Sequence, residues 1–169
     1  MEIERKFLLC KMPEELERYP HSELEQGYLC GGETTVRIRK ADDRYYLTIK
    51  KKPSADADEK YGAIVRIEIE EEITETLYYS LFRAVEGNPV TKTRYRIPYL
   101  SYVVELDVFH GMLEGLVTAE IEFPTVEEAG LTELPDWFGK DVSADRRYRN
   151  SAMSKMTREE AEKLVAESR

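Results

Sequence analysis

Hydrophobic and polar positions alternate with a period of two over most of the chain. EIERKF (2–7) sets Glu2, Glu4 and Lys6 on one face and Ile3 and Phe7 on the other, with Arg5 where an apolar residue is expected. The same alternation predicts strands over QGYLC (26–30), TTVRIRK (34–40), YYLTIKKK (45–52), AIVRIEIEEEI (63–73), VTKTRYRI (90–97), SYVVELDVF (101–109) and GLVTAEIEF (115–123). Turns fall at Gly31-Gly32, at ADDR (41–44), at Pro98 and at His110-Gly111, and PSADADEKYG (53–62) reads as a polar loop. The period changes in TETLYYSLFRAVEGN (74–88), where Leu77, Tyr78, Leu81, Phe82 and Val85 mark a helical face stopped by Gly87 and Pro89. PEELERY (13–19) predicts a short helical turn. The segment from about 125 to 169 reads as helical in pieces, and Thr157 and Glu160 have capping-box spacing. About eight strands with helices at a few joints predict one α+β domain over 1–169, an antiparallel β-barrel with helices outside.

The polar positions are seldom neutral. Arg37 and Arg39 share one face, as do Lys50 and Lys52, and as do Arg66, Glu68 and Glu70. Lys92, Arg94 and Arg96 form a third cationic row, while Glu105 with Asp107 and Glu120 with Glu122 form acidic ones. A half-solvated sheet with a charged outer face is the ordinary explanation for any single strand of this kind. Doublets of one sign, sorted by strand and repeated along the chain, fit better with a barrel whose charged faces point inward and whose apolar faces are covered by helices. Unpaired charges are costly to enclose, whereas rows of opposite sign facing each other across a hydrated lumen are tolerable. Such cations suit a multiply charged anion, and such carboxylates suit a divalent metal that bridges to it. By this phasing Arg5 and Lys51 face solvent.

Composition narrows the chemistry. With 169 residues, 41% hydrophobic and 35% charged, the chain can bury a core and is neither disordered nor membrane-like. No apolar run approaches the ~20 residues of a spanning helix, and the acidic start is unlike a secretory leader, so the expectation is a cytoplasmic protein. A net charge of −9 disfavours nucleic-acid duplexes and anionic membranes as partners. Cys10 and Cys30 lack metal-ligand spacing, and with His21 and His110 the only histidines, a metal would rest on carboxylates, favouring Mg²⁺ or Mn²⁺ over zinc. Neither a P-loop nor a dinucleotide fingerprint occurs.

EIERK matches the E-x-E-x-K signature of the CYTH superfamily, also called triphosphate tunnel metalloenzymes. The match continues through QGYL (26–29), VRIRK (36–40), LTIK (47–50), RIEIEE (66–71), VTKTRYRI (90–97), VELDVF (104–109), AEIEF (119–123) and GKDVSADRRYRNS (139–151). The resemblance implies a closed eight-stranded antiparallel tunnel that binds a triphosphate lengthwise with Mg²⁺ or Mn²⁺. Members hydrolyse inorganic triphosphate, thiamine triphosphate, nucleoside triphosphates or RNA 5′-triphosphate ends, and one branch makes cyclic AMP; this chain most resembles bacterial inorganic triphosphatases.

Position by position, the resemblance makes Glu2, Glu4, Glu120 and Glu122 metal carboxylates. It makes Lys6, Arg37, Arg39, Lys50, Arg94 and Arg96 triphosphate-binding cations, with Arg66 beside them. Glu68, Glu70, Glu105 and Asp107 match acidic lumen positions for a second metal or water, and Lys92 matches a position assigned to an acid that protonates the departing phosphate. Lys140, Arg147, Tyr148 and Asn150 fall in a stretch that would plug one tunnel end. The expected partner is a small triphosphate-containing molecule, taken by a monomer or homodimer. The alternatives are hydrolysis of another triphosphate, a class IV-like adenylate cyclase, and a non-catalytic polyphosphate- or nucleotide-binding module.

Overall fold

The computed structural model describes residues 2–51 and 64–169, so the predicted loop over 53–62 lies outside the described residues. In chain order these form β1 (Glu2–Leu9), β2 (His21–Cys30), β3 (Thr34–Ala41), β4 (Arg44–Lys51), β5 (Ile64–Ile73), α1 (Glu75–Phe82), β6 (Glu86–Tyr99), β7 (Tyr102–Phe109), β8 (Val117–Glu122), α2 (Val126–Leu131), β9 (Phe138–Asp141), α3 (Asn150–Met153) and α4 (Arg158–Glu167). A short 3-10 turn, Leu16–Arg18, stands where a helical turn is predicted. Eight strands close in the order β1-β8-β7-β6-β2-β3-β4-β5, and β5 returns to β1 with Glu2 opposite Arg66. Every pairing is antiparallel, and β9 adds to β1 outside the ring.

Closure decides which face is inside. Opposed residues of antiparallel strands share a face. Glu4 opposite Glu122, Lys6 opposite Glu120, Glu105 opposite Arg96 and Lys50 opposite Glu68 therefore bring the ionic positions together within the barrel. The outward set on β1, β6, β7 and β8 is apolar: Ile3, Phe7, Ile97, Leu106, Ile121 and Phe123 form one core beneath α2 and the segment carrying Trp137 and Phe138. Trp137 meets Phe138 edge-on at 4.7 Å, anchoring that segment.

A second core lies at one end of the barrel. Leu8, Val90 and Phe109 continue the inward rows of Lys6, Lys92 and Asp107, so these rows turn from ionic to apolar. Val142, Tyr148, Met153, Leu164 and Val165 of the C-terminal segment pack on them. Helix α4 opens with the expected capping box, in which Thr157 and Glu160 exchange side-chain-to-backbone bonds. No helix among the described residues is long and apolar enough to cross a membrane.

Four expectations need correction. The helix predicted to reach residue 88 ends at Phe82, and β6 begins at Glu86, because Gly87 (φ +70°) brings the chain against α3, where Asn88 N–H donates to Ser154 O at 2.7 Å. The C-terminal part is not wholly helical, since FGKD forms β9. Arg5 is not in solvent: it pairs with Asp141 at 2.7 Å, donates to Ala129 O at 2.8 Å and lies over the Phe7 ring. Lastly, helices do not cover every apolar face, because α1 packs on β3 and β4 and leaves Ile67 and Ile69 of β5 45% and 55% exposed.

A Cβ at position 87 would stand 2.3 Å from Ser154 O in a conformation L side chains avoid. Gly87→Ala should therefore destabilise the protein by at least ~1 kcal/mol, read as a lower urea midpoint at an unchanged m-value.

Candidate active site

The barrel encloses a cavity of about 800 Å³. Every site residue named from the sequence lines it except Lys92 and Asp107, which stand behind the wall. Alternation on the strands aims the side chains, and closure makes them face each other.

The charges pair in several clusters along the wall. Lys50 Nζ lies 2.6 Å from Glu2 and 3.1 Å from Glu68. Lys6 Nζ pairs with Glu120 at 2.6 Å and donates to the Tyr148 carbonyl at 2.9 Å. Arg94 donates through Nε and Nη2 to the two oxygens of Asp107, at 2.6 and 2.7 Å, and also pairs with Glu105 and Glu120. Arg39 donates to Glu70 at 2.9 Å, and Thr48, buried between strands, accepts from Arg37 and donates to the same carboxylate. Arg96 donates to Ser22 Oγ at 3.2 Å.

Enclosure perturbs the titration of these groups in opposite directions. Burial and the neighbouring Glu4 push the Glu2 carboxyl up to about 8, against the pull of Lys50. Burial, with Glu68, Glu4 and Glu105, also raises Glu122. Burial works against Glu120 as well, but Lys6, Arg94 and Lys92 outweigh it and hold that carboxylate well below its usual range. Burial lowers Arg39 to about 10, with Arg37 and Arg94 adding to the effect.

Two kinds of ground coexist here. Around Glu120 the carboxylate is compensated by cations, whereas Glu4 opposes the charge of Glu2, and Glu68, Glu4 and Glu105 oppose that of Glu122. Among the described residues no acidic, His or Cys side chains are grouped as a ready metal cage. The donor chemistry nonetheless fits a hard divalent cation, since all these donors are carboxylate oxygens. The upward shifts of Glu2 and Glu122 come first from burial and then from neighbouring carboxylates, and a bound cation would oppose both.

Sequence reasoning missed several lumen groups. Tyr28 lines the cavity at 4% exposure, and its hydroxyl accepts from Gln26 Nε2 at 2.9 Å. It belongs to β2, whose inward residues Ser22, Leu24, Gln26 and Tyr28 are uncharged, so a search for ionic alternation passes over it; the QGYL match was the available signal. Of the C-terminal stretch expected to plug one tunnel end, Tyr148 and Asn150 line the cavity, joined by Ser151, which the sequence did not single out. Within that segment Arg147 instead turns outward to Asp145 and Glu167, and Lys140 is exposed.

A closed antiparallel barrel whose enclosed wall carries facing rows of cations and carboxylates defines a class of protein suited to enclosing an anionic ligand. The chain belongs to the CYTH domain family, whose model matches residues 1–159. It is 37% identical over 158 residues to an inorganic triphosphatase of Nitrosomonas europaea, covering 90% of this chain and 96% of that protein. An inorganic triphosphatase of Acetivibrio thermocellus is 34% identical over 131 residues, covering 77% and 78%. A crystal structure of an inorganic triphosphatase superposes with a TM-score of 0.64 at 34% identity, over 93% of this chain and 96% of that one.

Glu2 yields a pH prediction for the metal-free protein. Its folded carboxyl titrates near 8 against an ordinary 4.5. Between those values the folded state keeps a proton that the unfolded state has released. The contribution is therefore full below about 4.5 and lost as pH rises through 8. Glu2→Gln cannot ionise, so in chelator its melting temperature relative to wild type should climb from pH 5 to pH 8.5.

Proposed function

We propose that this protein is a divalent-metal-dependent hydrolase that removes the terminal phosphate of inorganic triphosphate bound inside the barrel. The observation that carries this reading is the enclosed wall on which Lys6, Arg37, Arg39, Lys50, Arg94 and Arg96, with Arg66, face Glu2, Glu4, Glu120 and Glu122. Extended identity to two inorganic triphosphatases supports the choice of substrate.

A triphosphate carries its charge on oxygens spaced along a chain, which matches cations arrayed on several strands better than a single anion pocket would. On binding, Lys50 and Lys6 exchange their contacts with Glu2, Glu68 and Glu120 for phosphate oxygens. The released carboxylates then become available to hold Mg²⁺ or Mn²⁺, with Glu70 and Glu105 as further acidic positions. A divalent ion held there would supply charge neutralisation at phosphate oxygens and a more acidic water. The arginines hold the chain in line for displacement, and their fixed charge stabilises the transferring phosphoryl group without reorganisation. The uncharged row of β2, with Tyr28 and Leu24, borders the cations and keeps bulk water off that side. The protein would act on a small molecule in the cytoplasm, as a monomer or homodimer.

One assay separates this from the other readings: phosphate release from tripolyphosphate, thiamine triphosphate and ATP with Mg²⁺ or Mn²⁺, with cyclic AMP measured alongside. Tripolyphosphate should turn over far faster than the others. Cyclic AMP from ATP would select a cyclase, and binding without turnover a passive module. Glu4→Gln should lower kcat by roughly 10²-fold or more, by analogy with removing other preorganised electrostatic groups. Arg39→Ala should raise KM and lower kcat together, since bound substrate and transition state share its charge.

A further inference from the structure

Lys92 occupies the family position of a proton donor, yet its surroundings suit a different task. Its side chain is 1% exposed and does not line the cavity. The register sets it opposite Leu24 of β2 and Phe109 of β7, both buried, with the Phe109 ring 5.2 Å from Nζ. Nζ donates to Asp107 Oδ2 at 2.5 Å and to Asn150 Oδ1 at 3.3 Å. Asp107 is fully buried and receives the Nε and Nη2 fork of Arg94, which does line the cavity. We propose that Lys92 is a positioning residue for the phosphate-binding Arg94: with Asn150 it holds Asp107 in place, and Asp107 fixes the plane of the Arg94 guanidinium.

A general acid must come within about 2.6–3.2 Å of the oxygen it protonates. For Lys92 to do so it would have to leave Asp107 as a buried carboxylate with one cation fewer and break its bond to Asn150. Kept in place, Lys92 adds a second donor to a fully buried carboxylate and helps hold Asp107 beneath Arg94. Asn150 opens α3, and the chain just before it supplies the Tyr148 carbonyl to Lys6. The C-terminal segment thus holds two lumen cations in register, one directly and one through Lys92 and Asp107. Sealing the end of the barrel and orienting substrate-binding charges become one structural task.

The inference rests on the triphosphatase reading, and the test separates the two. Wild type, Lys92→Met, Asn150→Ala and the double variant are compared for tripolyphosphate kcat and KM from pH 6 to 10, for tripolyphosphate Kd by calorimetry in chelator, and for melting temperature. Positioning predicts that K92M raises KM and Kd and lowers kcat, losing about 10- to 100-fold in kcat/KM at neutral pH. N150A should move KM and Kd the same way by less, and the double variant should add little to K92M because both act through Asp107. If K92M abolishes the basic limb of the profile with KM and Kd unchanged, Lys92 is a proton donor and the proposal falls. It falls equally if neither variant changes Kd. Should K92M fail to fold, N150A decides alone, and an unchanged Kd overturns the proposal. If wild type lacks turnover, the function reading fails while the Kd comparison still judges positioning.

Discussion

Enclosing charge is costly unless opposite charge is enclosed with it, and the lumen of this barrel is organised around that constraint. The clearest instance is Asp107, a fully buried carboxylate ringed by Arg94 and Lys92. Removing one partner of a buried ion pair typically costs about 3–5 kcal/mol, because the remaining buried charge loses compensation that water cannot replace. The same rule acts along the whole inner wall. Lys6, Arg37, Arg39, Lys50 and Arg94 each lean on a carboxylate, while Glu2 and Glu122 are pushed up by burial and by neighbouring carboxylates.

The constraint also governs the architecture. An open sheet would let water screen each ionic row, and neither the upward shift of Glu2 nor the depression of Glu120 would persist. The short pairing between β5 and β1 closes the ring and converts a row of surface charges into a lumen. At the end packed by the C-terminal segment the inner rows change character, with Leu8, Val90 and Phe109 replacing charged residues. Apolar packing there anchors the segment whose Tyr148 carbonyl and Asn150 side chain reach back to Lys6 and Lys92.

Outside the ring the demands are looser. One half of the barrel is covered by α2 and the Trp137 segment, and α1 shields β3 and β4. Ile67 and Ile69 stand in the open on β5. Arg5 shows how an out-of-phase charge is accommodated on the covered side, since Asp141 and the carbonyl at the end of α2 satisfy it above the Phe7 ring.

Period-two alternation was legible from the letters and placed the strands of the ring within a few residues. Sorting of like charges by strand marked the inner face, because side-chain direction in a strand follows from backbone geometry alone. EIERK and the motifs after it point to the family from the letters alone. Local pattern could not reveal that β9 pairs with β1, that Arg5 is held against Asp141, or that Tyr148 and Asn150 enter the lumen. Nor could it separate Lys92 and Asp107 from their neighbours on the same inward rows: phase says which face a residue takes, but depth behind the wall depends on what packs above it. Leu24, Phe109 and the C-terminal segment come from distant parts of the chain, and only their tertiary packing withdraws Lys92 from the cavity.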